Sequence, residues 1–418
     1  MPATLYTLTS DLHSELARTA SGEPFIKSIE DALGEKFDVR GADYSAYGTR
    51  GCELIYVRTG GTEGIFRSLF VKDGTLRIPE PVRLLTSGLS NSLAASMEIL
   101  SYLNLHGVRG EILHGSPEYI AGRIRDGESP QAAASGQAPG TVSPVNPGRI
   151  LRGERLGVVG RPSDWLISSD VDHARALDVL GLELVDISME ELLEETLRHE
   201  HPAVDLPALN VPRYGRPIPE SDLSDSLDIY GALSRIIRKY RLDGLTVRCF
   251  DLLTAVHNTG CMSLALLNSE GSVATCEGDV PAMISMAVAR KLTGCSGFQA
   301  NLSRAWEDKL LFAHCTVPLG MTRSWVYDTH FESGFGVAVH GEIPEGPVTI
   351  FKLSPDFRRA FIREGEILRN EYGDKLCRTQ VVVRSPGAAS YFLREPIGNH
   401  HILIPGSHAV ELSEMLGA

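Results

Sequence analysis

Glu53-Leu54-Ile55-Tyr56-Val57-Arg58 runs directly into Thr59-Gly60-Gly61-Thr62-Glu63-Gly64, and an apolar pattern resumes from Ile65 to Phe70. The first run reads as a buried strand, the glycines as a tight turn and the remainder as a new element. The same order returns at residues 82–85, where Thr86-Ser87-Gly88 turns the chain and Ser90-Asn91-Ser92 stands ready to cap a helix over 93–103. Repeated strand-turn-helix units predict a parallel sheet with helices on its faces.

Working outward, the alternation resets at residues 156–159 and continues through a helix ending near Leu180, a strand over 182–187 and a Glu- and Leu-rich helix over 189–199. A helix over 229–240 and a strand over 244–248 follow. The last third changes character, with strand-like runs at 335–339, 347–353, 380–384 and 401–404 and few helical patterns between them. The expected fold class is therefore α/β, with two Rossmann-like parallel-sheet domains over 1–150 and 151–310 and a β-rich domain over 311–418. Between Asp126 and Gly148 the chain turns to Ala, Ser, Gly, Gln and Pro. Such a stretch buries too little apolar surface to offset its ordering entropy, and it is expected to be mobile.

Bulk properties narrow the function classes. At 418 residues the chain is too long for one ordinary core, and 43% hydrophobic with 22% charged residues is a globular composition. A net charge of -13 without a long basic run disfavours nucleic acid and anionic membranes, leaving small molecules as the expected partners. No basic or apolar leader is read at Met1-Pro2-Ala3-Thr4, and no apolar run approaches membrane-spanning length. The seven cysteines are scattered, without C-x-x-C spacing. Reduced thiols in a cytoplasm are the expectation.

The most informative stretch for chemistry is Ala274-Thr275-Cys276-Glu277-Gly278-Asp279-Val280-Pro281, which sets two carboxylates just before an expected helix over 282–291. Carboxylates placed there can cap the helix, ligate a metal or work as an acid/base pair; taken alone, capping is the commoner role. Downstream, Phe298-Gln299-Ala300-Asn301, Leu311-Phe312-Ala313-His314, Thr329-His330-Phe331-Glu332-Ser333-Gly334 and Gly398-Asn399-His400-His401 each place a polar ligand type at the end of, or inside, an apolar strand. An α/β enzyme presents its site from strand ends in that way. The turns at Gly60-Gly61 and Ser87-Gly88 can aim backbone N–H groups at a phosphate or carboxylate, though neither matches a G-x-G-x-x-G or P-loop pattern.

In their order along the chain, Cys276-Glu277-Gly278-Asp279, Ala313-His314-Cys315 and Gly398-Asn399-His400-His401 resemble the C-terminal half of L-fucose isomerase-like proteins, within the L-fucose/L-arabinose isomerase superfamily. Phe331-Glu332-Ser333-Gly334 and Thr379-Gln380 are similar to an uncharacterised branch of that group, and Arg58-Thr59-Gly60-Gly61 and Thr86 to Leu93 extend the likeness over most of the chain. The resemblance implies two α/β domains and a β-rich one, assembled as trimers or hexamers. It also implies a Mn²⁺-like divalent ion stabilising an enediolate during aldose–ketose isomerisation of a sugar or sugar phosphate. Carried over by position, it makes Glu277 the first carboxylate ligand and catalytic group, His314 an imidazole ligand, and His400 or His401 the C-terminal imidazole. Strand alternation allows only one of the last two to face the ion.

One departure stands out. Where that group has its second carboxylate, this chain has Asn301. An amide oxygen can ligate a hard cation but cannot take up a proton. Asp279 and Glu332 are the candidates to replace the missing base, with helix capping as the other role for Asp279. A lyase or epimerase on the same site, and a catalytically silent sugar-binding or regulatory protein, are the rival readings.

Overall fold

The computed structural model describes residues 2–10, 23–126, 142–210 and 217–418. Three sheets organise it. The first is parallel, with five strands in the order Asp38–Gly41, Thr4–Leu8, Glu53–Val57, Val82–Leu85 and Gly110–Leu113. The second is parallel with four strands, Glu183–Ile187, Arg155–Val159, Gly244–Val247 and Val273–Thr275. Inner strands such as Glu53–Val57 and Arg155–Val159 are short, Val-, Leu- and Ile-rich, and buried in succession, as expected of strands covered on both faces, whereas the edge strands Asp38–Gly41 and Glu183–Ile187 are partly exposed.

The third sheet is antiparallel and closes on itself. Its ring runs Gly346–Leu353, His400–Pro405, Phe298–Trp306, Lys309–His314, Thr379–Arg384, Arg359–Asn370 and back to Gly346–Leu353. Closure leaves none of these six strands as a bare edge. The barrel takes Phe298–Trp306 from before residue 311. The chain is thus mixed α/β, with parallel sheets and a barrel-like antiparallel sheet toward its C-terminus.

Two helices hold these layers together, and their sequences say why. Apart from Glu98, the helix Ser92–Leu105 is apolar or small on all sides from Ser92 to Leu103, and every one of these residues is buried. It packs on the first sheet and on the barrel strand Phe298–Trp306. Val280–Thr293 is buried just as fully through Ala289, carries a proline in its first turn and ends at Gly294 with φ +78°. Among the described residues no helix is long and apolar enough to cross a membrane.

Several expected elements shift. The helix expected over 229–240 begins at Glu220, because Glu220 and Asp222 supply a favourable acidic first turn that the apolar pattern alone does not reveal. The strand expected over 335–339 begins only at Ala338: Gly334 and Gly336 take positive φ (+68° and +61°), and a Cβ on Gly336 would lie 2.3 Å from Asn258 Oδ1. Of the segment expected to be mobile, residues 127–141 lie outside the described residues. Its end is fixed: Ser143–Pro144 pairs with Arg359–Asn370, and the Val145 and Asn146 N–H groups donate to Arg358 and Leu416 carbonyls at 2.8 Å each. Backbone hydrogen bonds and the part-buried Val145 anchor what composition alone reads as loose.

Candidate functional site

Glu277 sits on a turn the backbone makes difficult. It has φ +67° and is followed by Gly278 at φ +68°, so two consecutive residues lie in the left-handed region. Gly278 is obligatory there, since a Cβ would fall 2.5 Å from the Arg161 carbonyl oxygen. For Glu277 that conformation is costly, and three backbone hydrogen bonds pin the turn. Ser163 N–H donates to Glu277 O at 3.0 Å, Gly278 N–H to Val247 O at 2.9 Å, and Cys276 N–H to Gln299 Oε1 at 2.9 Å.

The pinned turn aims the Glu277 carboxylate at two imidazoles. Oε1 lies 3.5 Å from His400 Nε2 and 3.8 Å from His314 Nε2, while Oε2 accepts a 2.6 Å hydrogen bond from Trp165 Nε1–H. Each of the three residues offers a ligand atom, and these atoms all lie within 4.8 Å of one another. Asn301 stands directly across the strand pairing from His400 and beside Ala313, so register brings it to the same place. Two buried atoms, His400 Nε2 and Asn301 Oδ1, have no hydrogen-bond partner. Buried polar atoms are rarely left so in a folded interior, and a carboxylate, imidazoles and an amide oxygen together form a ligand set suited to a borderline or hard divalent cation.

The electrostatics agree. Burial opposes ionisation of Glu277, yet the adjoining His400 and His314 outweigh it and hold the carboxyl far below the usual range. Burial likewise opposes charge on His400, but Glu277 and Asp279 push its pKa up to about 9. Without a cation His400 therefore carries a proton between two carboxylates. A ligated cation needs the neutral ring, so the cation and that proton compete.

Asp279 does two things at once. Its Oδ1 accepts from Ala282 N–H at 2.7 Å, capping the following helix, and its Oδ2 accepts from His400 Nδ1–H at 2.8 Å. The second bond turns Nε2 toward Glu277, the arrangement by which an outer carboxylate orients a metal-binding histidine. Lys352, itself buried, places Nζ 3.6 Å from the same Oδ2. Burial opposes the charge on Asp279, but Lys352 and His400 hold its pKa below the usual value. Its stabilisation is thus present above the unfolded-state value, about 3.9, and is lost as pH falls through the folded one. Asp279→Ala is expected to lower unfolding free energy by about 3 kcal/mol or more, from a lost cap and an abandoned buried ammonium. Urea unfolding measures it, and adding Lys352→Met should recover part of the loss. A change below about 1 kcal/mol would show that the pair is not coupled to folding.

The other expected residues separate cleanly. His401 points to the opposite face of its strand, where Nε2 accepts from Tyr391 O–H at 2.8 Å among Phe361 and Phe392, and burial pushes its pKa down to about 3. It does not join the group around Glu277. Glu332 does reach the cleft. Its Oε1 accepts from Asn91 Nδ2–H at 2.8 Å, and burial, with the Glu277 charge adding, raises its pKa to about 7.

Glu277, Asn301, Glu332, Asn91, Trp165 and Phe250 line one narrow cleft, with a cavity volume of about 40 Å³. Gly60, Gly61 and Glu63 close it from the N-terminal sheet, so the glycine turn borders the site. Sequence reasoning missed Trp165, Asn91 and Glu63. Of these only Glu63 carried a signal, as an acidic residue directly behind a glycine turn.

No protein-family profile matches the chain. Two curated relatives do, sulfoquinovose isomerases of Priestia aryabhattai and Priestia megaterium, each 26% identical over 301 residues. Each match covers 65% of this chain and 66% of the relative, so the likeness spans just under two thirds of the relatives' length. Over that span the chain is similar to isomerases named for a sugar.

Proposed function

We propose that the chain is a divalent-cation-dependent aldose–ketose isomerase acting on a sugar or sugar derivative. The observation that carries this reading is the convergence of Glu277, His314 and His400 on one point, beside a cleft that also holds a carboxyl with a pKa of about 7. Glu277, His314, His400 and the Asn301 amide oxygen would hold the cation. A bound Mn²⁺-like ion supplies positive charge opposite the oxygens of an enediolate.

The remaining work falls to the chain itself. Trp165 and Asp279 hold Glu277 and His400 in the geometry described. Glu332 would carry a proton between adjacent substrate carbons, the function Asn301 cannot perform, and the hydrogen bond from Asn91 Nδ2–H orients its carboxyl. Trp165, Phe250, Ala94 and Ala95 give the cleft an apolar wall suited to the C–H face of a sugar. The likeness to sulfoquinovose isomerases makes sulfoquinovose the first substrate to test. Assembly into trimers or hexamers, in a cytoplasm, belongs to the same proposal and is checked by sedimentation.

The direct test is calorimetric titration with Mn²⁺, Mg²⁺, Co²⁺ and Zn²⁺, followed by an assay for ketose formation. Stoichiometric binding of one ion and turnover are expected; no binding of any of the four would remove the metal reading. Asn301→Asp probes the coordination sphere itself. A second anionic oxygen at ligand distance should tighten Mn²⁺ binding by about tenfold or more, since roughly 1.4 kcal/mol of added attraction suffices at close range. Unchanged affinity would place Asn301 outside the sphere.

A further inference from the structure

Glu63 opens the helix Glu63–Phe70, immediately behind Gly60-Gly61-Thr62. It is 2% exposed, yet it lines the same cleft as Glu277, Asn301 and Glu332. Its Oε2 is buried with no hydrogen-bond partner, although backbone N–H groups of Glu63 and Thr62 at the helix start interact with the same carboxyl group. A purely structural first-turn carboxylate would have both oxygens satisfied or solvated. An unpaired carboxyl oxygen on a residue that lines a cleft is instead one that a ligand can satisfy.

We propose, resting on the isomerase reading above, that Glu63 is a second catalytic carboxyl, which enters the reaction protonated and exchanges its proton with the substrate's two reacting oxygens while Glu332 serves the carbons. In the first half, Glu332 carboxylate takes the proton from C2. The C2–H electron pair becomes the C1=C2 bond, the carbonyl π pair moves to O1, and O1 takes the proton of Glu63. In the second half, the O2 proton passes to Glu63 and C2=O2 forms. The C1=C2 pair then takes the proton held by Glu332 at C1. Both carboxyls return to their starting states, and hydrogen has moved from C2 to C1 and from O2 to O1. Glu63 is suited to the protonated role because burial, with Glu98 and Glu277 adding, holds its carboxyl well above the usual range.

Two measurements on the full chain decide it. Infrared difference spectra of wild type minus Glu63→Gln at pH 7.5, without metal or sugar, should contain a carboxylic-acid C=O stretch that shifts in D₂O. Its absence means that Glu63 is ionised, and the proposal falls. With saturating Mn²⁺ and sulfoquinovose, L-fucose or L-arabinose as probes, Glu63→Gln should lower kcat by roughly 10²–10⁴-fold while leaving Mn²⁺ affinity within about threefold. A kcat within about threefold of wild type overturns it. Should Glu63→Gln not fold, Glu63→Asp serves instead: it keeps the acid band but draws the proton back by one methylene, and kcat should fall at least about tenfold. A wild type that shows the band but converts none of the three sugars sinks the isomerase reading rather than the assignment of the proton.

Discussion

Glu277→Gln is expected to weaken Mn²⁺ binding by at least about 100-fold and to reduce turnover to background at cation concentrations that saturate the wild type. Loss of an outer partner to a metal-binding histidine already costs about 10–100-fold, and here the anionic ligand itself is removed. Gln keeps the size of the side chain and can still accept from Trp165 Nε1–H, so the left-handed turn and its backbone hydrogen bonds should survive. Loss of the charge facing protonated His400 should lower the stability of the cation-free variant, but the native fold should be kept, and its circular dichroism should match wild type. Titration calorimetry reads the affinity. If Glu277→Gln binds Mn²⁺ within about threefold of wild type, the imidazoles and Asn301 do not hold a cation around this carboxylate.

Much of this arrangement was legible in sequence, for identifiable reasons. The parallel sheets announce themselves because each strand is a short apolar run closed by glycine or Ser/Thr turns, as at Glu53–Val57 and Val82–Leu85. Closure of the barrel does not, since it depends on Gly346–Leu353 pairing with Arg359–Asn370, a strand whose exposed and half-buried residues mask any clean alternation. The site divides the same way. Glu277, His314 and His400 stand at strand ends, where ligand types interrupt apolar runs. The choice between His400 and His401 follows from period-two alternation but needed a partner on one face, Asp279, to be decided. Trp165, Asn91 and Glu63 were illegible as a group because each comes from a different loop or helix start, and only tertiary packing brings them to one cleft.

Glu332→Gln should lower kcat by roughly 10²–10⁴-fold, the usual loss when a positioned acid–base group is removed, while Mn²⁺ affinity stays within about threefold. The amide oxygen of Gln still accepts from Asn91 Nδ2–H, so the side chain should keep its place and lose only its proton chemistry. The pH dependence provides the finer test. A base must be ionised to accept the C–H proton, so wild-type kcat should rise with pH through the Glu332 pKa and fall away below it. Burial and the Glu277 charge set that value at about 7 in the cation-free protein. A cation that neutralises Glu277 removes the second cause, which puts the inflection of the loaded enzyme at about 7 or below. In Glu332→Gln the inflection should vanish along with exchange of the substrate C2 hydrogen into D₂O. If that exchange continues at the wild-type rate, the carbon proton travels through another group, and Glu63, facing the same cleft, is the carboxyl to substitute next.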